Sequence, residues 1–153
     1  MATPVTGNRG DIVVQVELDP ASLPGVFTNL CGVTSASFSV NNEVISFKVG
    51  DCDDWSEAVQ TVKNYGALDA SISISTTWTA DQHPHMLKWV LEQKKLNTRL
   101  AYPNATTGQV SSIDCVGLME GLELADIGNV DGNPQTEDLT IQCSGGITPT
   151  YAT

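Results

Sequence analysis

The sequence predicts an α+β protein: a mainly antiparallel β-sandwich or small barrel with one flanking α-helix, a long hairpin and a long inter-strand loop. Several stretches alternate apolar and polar residues with the period of two that marks a half-buried strand, most regularly over Leu68–Trp78. One stretch, Asp81–Lys95, instead spaces its apolar residues as an amphipathic helix does. At 153 residues the chain is long enough to bury one core. Strands and helix therefore form one layered domain.

The N-terminal half begins with a strand and a hairpin. Asp11–Leu18 is rich in β-branched residues and precedes a loop that contains two prolines. Thr34–Val40 and Glu43–Val49 each alternate apolar and polar side chains, which predicts an antiparallel pair. Asn41 and Asn42 can adopt the positive φ values of a tight two-residue turn. We therefore expect the chain to reverse direction at these asparagines.

An acidic segment, residues 50–67, has no clean periodicity and predicts the long inter-strand loop. Four carboxylates keep it at the surface, and Trp55 lies among them. A tryptophan in such surroundings anchors either the loop on its own domain or the protein on a neighbour.

The predicted helix has recognisable ends. Asp81 can cap its N-terminus and Pro84 suits its first turn, while Lys94 and Lys95 in a last turn would complement the helix dipole. The apolar stripe consists of Leu87, Val90 and Leu91, flanked by Met86 and Trp89. This stripe should pack on the sheet.

The C-terminal half predicts a short strand, Asn97–Tyr102, then a long strand or bulged pair, Gln109–Asp126, and a closing strand, Glu137–Cys143. Glycine and asparagine turns separate them. The expected organisation is a flexible N-terminal arm (1–10), a single domain (11–144) and a loose C-terminal tail (145–153).

The charge balance argues against bound nucleic acid. Seven Lys and Arg against 18 Asp and Glu give a net charge of −11, whereas phosphate binding requires clustered cations. Four of the seven cations fall within Lys88–Arg99. This basic segment is either a solvated helix face or a patch that pairs with the anionic surface of another copy.

No pattern of catalytic or metal-binding residues is visible. The sequence lacks a nucleophile elbow, a phosphate loop and a dinucleotide fingerprint. His83 and His85 flank a proline at the helix start instead of facing one side at i, i+4. In the loop 126–133, Ile127 stands where a calcium loop needs an acid. We expect no enzyme, cofactor or metal.

The four cysteines show no C-x-x-C pair, and the N-terminus shows no secretory signal. We expect free thiols in a reducing cytoplasm, although Cys115 and Cys143 lie on strands that should pair. No apolar run approaches the ~20 residues of a membrane helix.

Short motifs spaced along nearly the whole chain are typical of one protein family. In order they are GNRGDIVVQV (Gly7–Val16), LCGVTSASFSV (Leu30–Val40), the strand Glu43–Val49, WSEA (Trp55–Ala58), DASISIS (Asp69–Ser75), the helix, LAYP (Leu100–Pro103) and TIQCSG (Thr140–Gly145). On these motifs the chain resembles the major tail tube proteins of long-tailed bacteriophages and related gene transfer agents. VQTVKNYG (Val59–Gly66) stands where the family usually has a glycine-rich run.

The resemblance implies a structural virion protein of the phage tail, assembled in the host cytoplasm. Members of the family form six-fold rings that stack around a tape measure protein, and DNA leaves the capsid through the resulting β-barrel tube. The implied partners are other copies of the chain, the tape measure protein, and tail terminator and tail tip proteins. DNA would pass without specific binding, and no membrane would be involved.

On this interpretation the strands form rings, and the segment 50–67, the N-terminal arm and the residues after Ser144 connect the rings. The expected ring-forming residues are Phe38, Val40, Ile45, Phe47, Ile72 and Ile74. The expected inter-ring residues are Asp53, Asp54, Trp55 and Glu57, with Trp55 as the anchor. The lumen should be lined by some of the acids Glu43, Asp114, Glu120, Glu123, Glu137 and Asp138, with the basic segment facing away.

Two alternatives remain open from the sequence. One is a carbohydrate-type binding β-sandwich in which Trp55, Trp78 and Trp89 form a stacking platform. The other is a tail terminator or completion protein of related fold.

Overall fold

A computed structural model describes residues 11–125, 127–128, 132 and 134–153. The predicted N-terminal arm lies outside the described residues. The strands are β1 (Val13–Val16), β2 (Thr28–Asn29), β3 (Val33–Val49), β4 (Gln60–Thr77), β5 (Lys95–Ala101), β6 (Val110–Ala125) and β7 (Thr136–Tyr151), and the helix is α1 (His83–Leu91). All strands belong to one antiparallel sheet in the order β2-β1-β5-β6-β7-β4-β3. The sheet is not closed, and the expected α+β class is confirmed.

The core lies between α1 and one face of the sheet. Met86 and Trp89 of the helix pack there with side chains from β1, β4, β5 and β7. The predicted stripe is wrong at Leu91, which is 73% exposed, whereas Leu87 and Val90 are half-buried and the flanking Met86 and Trp89 are the buried residues. Trp89 carries more apolar surface than any residue of that stripe, and its burial sets which face of α1 turns inward.

One close approach in the core depends on a glycine. A Cβ added to Gly117 on β6 would lie against the Thr98 hydroxyl, Ile141 and Trp89. The indole Nε1 of Trp89 donates to the Lys94 carbonyl oxygen at 3.0 Å, which satisfies its buried polar atom.

The ends of α1 differ from those expected. Gln82, not Asp81, occupies the N-cap position, and its side-chain amide bonds the backbone of Asn29 and Cys31 at 2.9 and 2.8 Å. Pro84 lies in the first turn as predicted. The helix ends at Leu91, so the lysines expected in its last turn follow it instead. By itself α1 is not long or apolar enough to span a membrane, nor is any other helix of the described residues.

The predicted turn at Asn41 and Asn42 is wrong. Both residues continue in β3 and pair with Asp69 and Leu68 of β4. The alternation of apolar residues does change phase here. The β3–β4 pairing shifts register at the same point, since Asn42 pairs with Leu68 but Val44 pairs with Tyr65. The chain reverses later, in residues 50–59, and the rest of the predicted loop belongs to β4.

Two long strands therefore project beyond the body of the protein. We call residues 42–68 the hairpin arm, and every residue in it is exposed. β4 pairs with β7 only over Ala70–Thr77, so residues 60–69 of β4 have no partner in β7. The arm is a two-stranded ribbon with water on both faces.

The expected loose tail is also wrong for most of its length. β7 continues to Tyr151, and its last part pairs with Val110–Asp114 of β6. The Ala152 N–H donates to the Gln109 carbonyl at 2.8 Å and the Gly108 N–H donates to the Ala152 carbonyl at 3.0 Å, and these bonds close this end of the ladder.

Candidate assembly surfaces

The hairpin arm presents an apolar face. The register places Phe47 opposite Val62, with Ile45 and Val49 on the same side of the ribbon. These four side chains are between 37% and 47% exposed. A contiguous apolar face of this kind on a projecting element is suited to burial against another molecule.

The opposite face of the arm is cationic. Ser46 pairs with Lys63 and Lys48 pairs with Thr61, which places both lysines on one side. Neither lysine has an ion-pair partner among the described residues. The arm thus carries unpaired positive charge on a chain whose net charge is −11.

The tip of the arm is an ordered acidic turn that presents a tryptophan. Asp51 Oδ1 accepts bonds from the backbone N–H groups of Asp53 and Asp54 at 2.8 and 3.3 Å. Asp54 Oδ1 accepts from the hydroxyl and N–H of Ser56 at 2.5 and 2.9 Å, and these bonds lower the pKa of Asp54. Trp55 between them is 93% exposed. The expected inter-ring residues, Glu57 included, all lie in this exposed loop.

The sheet face away from the helix carries hydroxyl groups. The register aligns them in rows, such as Ser35, Ser75, Asp138 and Glu123 across β3, β4, β7 and β6. This hydroxyl face consists of Ser35, Ser37, Ser39, Ser71, Ser73, Ser75 and Thr140. The surface is therefore polar over four adjacent strands.

Three of the acids expected in the lumen gather at one side of the hydroxyl face. Glu123 and Asp138 are exposed and lie directly opposite each other on β6 and β7. Glu120 is also exposed, and its Oε2 accepts from the Gln142 side chain at 2.6 Å. Like charges on a directly opposed pair destabilise a sheet, so this patch is anionic at some cost to the fold.

The other three acids are placed differently. Glu137 is only 2% exposed and lies on the helix side, where its Oε2 is 3.1 Å from Nδ1 of His83, so its expected place in a lumen is wrong. Asp114 is neutralised by Arg99, whose Nε lies 2.6 Å from its carboxylate. Glu43 lies at the base of the arm and accepts from the Ala67 N–H at 3.3 Å.

Some of the expected ring-forming residues are also buried in the chain's own core, and others are exposed. Ile72 and Ile74 are 1% and 2% exposed in the chain's own core, so they are not available to a neighbour and this expectation is wrong. Ile45 and Phe47 belong to the apolar arm face. Val40 is exposed beside the arm, and Phe38 is half-buried.

A groove that the sequence did not indicate lies beside β3. It has a volume of about 730 Å³ and lies between β1 and β3. Val14, Leu30, Ile72 and Leu100 contribute apolar lining, and none of the described residues around it is charged. The sequence could not indicate this groove, because Ala36 and Phe38 alternate with serines as ordinary core residues of a strand would.

The three tryptophans do not form a common platform. Trp89 is buried in the core, and the Trp78 ring lies against His83 with centroids 5.7 Å apart. Trp55 is at the arm tip. The carbohydrate-binding alternative therefore loses the feature on which it depended.

The remaining polar groups have local partners. The described residues contain no group of three or more His, Cys, Asp or Glu side chains that could hold a metal ion. All four cysteines are free. A hydrogen bond with the Cys143 side chain raises the pKa of the Cys115 thiol, and neither cysteine forms a disulfide.

The fold and its surfaces define a class of protein in which long, solvent-exposed strands project from a single sheet. The model of a phage tail tube protein family matches residues 8–148. The chain belongs to this phage tail tube protein family, and it is accordingly a structural tail tube protein.

Solved structures share the fold at low sequence identity. The chain is similar to the tail protein of an empty gene transfer agent particle with C6 symmetry, at 16% identity and a TM-score of 0.72 over 95% of this chain and 100% of that one. It is similar to the SPP1 tail tube at 12% identity and TM-score 0.66, over 97% and 80% of the two chains. The tube-terminating cap of the anti-feeding prophage gives 14% identity and TM-score 0.66, over 99% and 95%. No curated protein sequence matches the chain.

Proposed function

We propose that the chain assembles into hexameric rings that stack into the tube of a phage tail, through which DNA is ejected. The observation that carries this proposal is the hairpin arm, whose residues 42–68 are all exposed in the single chain. An ordered, two-stranded ribbon gains little stability by itself. Contact with other copies would provide the burial that the arm lacks.

Ring formation would use the edge of β3. From Thr34 to Val49 its outer side has no strand partner among the described residues. A long free edge without proline is a template for pairing, and a heterologous contact of this type closes into a ring when its rotation divides the circle. Phe38, Val40, Ile45 and Phe47 would flank that contact. The C6 symmetry of the similar gene transfer agent tail supports six subunits.

Ring stacking would use the arm tip. Trp55 is the largest exposed apolar side chain there, and aromatic anchors dominate interface energies. Asp53, Asp54 and Glu57 surround it and would form the polar rim of the contact.

The lumen would be lined by the hydroxyl face together with Glu120, Glu123 and Asp138. Six copies of −11 each give a ring a charge of −66. Duplex DNA carries one negative charge per ~1.7 Å of axis, so it would be repelled from such a wall and find no binding site. Screening over ~8 Å at physiological salt keeps this repulsion close to the wall.

The proposed partners follow from the tube. They are a tape measure protein inside it and terminator and tip proteins at its ends, with assembly in the host cytoplasm before incorporation in the virion. A terminator role for this chain itself is the second candidate, favoured by its similarity to the anti-feeding prophage cap.

Negative-stain electron microscopy of the concentrated, purified protein tests the proposal. Tubes or stacked six-fold rings are the expected result. Isolated rings that never stack would favour the terminator, and compact monomers at every concentration would refute self-assembly.

A further inference from the structure

One face of the hairpin arm combines two lysines with exposed apolar side chains. Lys48 and Lys63 are diagonal neighbours on β3 and β4, which places their Cβ atoms about 7–8 Å apart. Val44 lies opposite Tyr65 on the same side of the ribbon, nearer the body, and these two side chains are 55% and 81% exposed. We call this side the cationic face, which consists of Val44, Ser46, Lys48, Thr61, Lys63 and Tyr65.

The cationic face is distinct from the surfaces of the proposed ring contact. That contact uses the β3 edge and is flanked by Ile45 and Phe47, which lie on the opposite face of the arm. The ion pairs among the described residues all lie outside the arm. Lys48 and Lys63 therefore carry charge that no carboxylate of the described chain neutralises, on a surface that the ring contact leaves open.

The arm tip supplies the complementary charge. Residues 50–59 contain four carboxylates and no Lys or Arg. Asp51 and Asp54 hold the turn through the hydrogen bonds that they accept within it. Asp53 and Glu57 lie two residues on either side of Trp55, and among the described residues their exposed carboxylates accept no hydrogen bond. The tip thus presents two free carboxylates around one exposed aromatic ring, in an ordered turn that needs little further ordering to bind.

The cationic face has a matching layout. At ~3.3 Å per residue, the pair Val44 and Tyr65 lies about 7 Å along the ribbon from Lys63 and about 13 Å from Lys48. An aromatic ring that contacts Tyr65 would therefore bring carboxylates next to it within reach of both lysine side chains. Trp55 is 93% exposed and has such carboxylates on both sides.

Resting on the proposed stacking of rings, we propose that the arm tip of one copy binds the cationic face of an arm in the next ring. Asp53 and Glu57 pair with the two lysines. Trp55 packs on Tyr65 and Val44, and this apolar contact excludes water from the neighbouring ion pairs. The contact joins two different surfaces, so it repeats from ring to ring. The complementary charges fix its register and disfavour other surfaces of this anionic chain.

Reversal of the lysine charges tests the contact. The double variant Lys48→Glu, Lys63→Glu should give single six-fold rings in negative-stain electron microscopy at concentrations where the unmodified chain forms tubes. Its critical concentration for tubes, measured by pelleting at low salt, should rise roughly 10-fold or more. The matched control is Lys88→Glu, Lys95→Glu, which makes the same change in net charge at exposed lysines outside the arm. It should form normal tubes.

Reversal of the tip charges tests which groups pair. Asp53→Lys, Glu57→Lys should also stop at single rings, and it keeps Asp51 and Asp54 to hold the turn. When rings of the two reversed variants are mixed in equal amounts, they should form tubes, because each tip then meets a face of opposite charge in the next ring. A mixture that stays as single rings would overturn the pairing of tip and cationic face.

The outcomes separate this inference from the proposed function. Normal tubes of the lysine variant, or an equal defect in its control, would overturn the contact and leave the tube itself intact. Loss of rings as well as tubes in a lysine variant that is folded by circular dichroism would place the cationic face in the ring contact and overturn the inference. Where the lysine variant does not fold, normal tubes of the tip variant would overturn it equally. Failure of the unmodified chain to form rings or tubes would overturn the proposed function and this contact with it.

Discussion

The substitution Trp55→Ala should abolish tube growth at concentrations where the unmodified protein assembles. A tryptophan buries 150–250 Å² at an interface, which at ~25 cal/mol per Å² corresponds to about 4–6 kcal/mol of apolar burial. Because Trp55 is 93% exposed in the single chain, almost all of that area is available. Ordering of the tip and imperfect desolvation offset part of it, so we expect a net loss of roughly 2–3 kcal/mol per contact.

Such a loss raises the critical concentration for assembly by roughly 30- to 150-fold, since every 1.4 kcal/mol is tenfold. Pelleting by ultracentrifugation over a concentration series measures it, with electron microscopy for tube length. The monomer should keep its stability to within about 0.5 kcal/mol, because the side chain makes no packing contact that unfolding would lose.

Leu91→Ala is the matched control. Leu91 is another exposed apolar residue, 73% accessible, but it lies at the end of α1 and away from the arm. It should leave the critical concentration unchanged. Tubes of normal length at normal concentration in Trp55→Ala would refute the assignment of Trp55 as an anchor, and an equal defect in Leu91→Ala would show that the assay reports general hydrophobicity.

Three further predictions concern the fold and the tip. Gly117→Ala forces a Cβ into packed side chains and should cost about 1–3 kcal/mol in a urea titration; an unchanged midpoint would show that the site relaxes freely. Asp138→Asn removes the like-charge opposition to Glu123 and should stabilise the monomer by about 0.2–1 kcal/mol, less at high salt, whereas destabilisation would contradict the argument. Ser56→Ala should raise the pKa of Asp54 toward its ordinary value, because both bonds from Ser56 favour the carboxylate. In the unmodified protein, acidification should disorder the arm tip only as the pH falls through the lowered pKa of Asp54. A carbon-13 NMR titration of Asp54 that is unchanged in the variant would contradict this cause.

Strands embedded in the sheet were predictable from the sequence. Residues 70–77 alternate strictly because β4 is paired on both sides there and buries one face. The long strand β6 and the start of β7 were found for the same reason. The pattern could not show what covers the buried face, so Ile72 and Ile74 looked equally suited to a neighbour and to their own core.

The arm was not predictable because it has no core to impose a period. With both faces in water, residues 60–67 need not alternate, and their irregular sequence suggested a loop. Partners distant in sequence were equally hidden. Nothing near Glu137 indicates that Nδ1 of His83 will lie 3.1 Å from its carboxylate, and a free carboxylate was the natural expectation.

The joint between arm and body is narrow. At the irregular step in the β3–β4 ladder, a Cβ on Gly66 would lie 2.8 Å from Glu43 Oε2 and 3.1 Å from Ile45 Cδ1. Glycine leaves room there for the Glu43 side chain, whose Oε2 accepts from the Ala67 N–H. In a tube connected by these arms, the arms would be more compliant than the bodies, because the body is a packed sheet and the arm is a two-stranded ribbon. Bending of the whole tail would then be distributed over the arms.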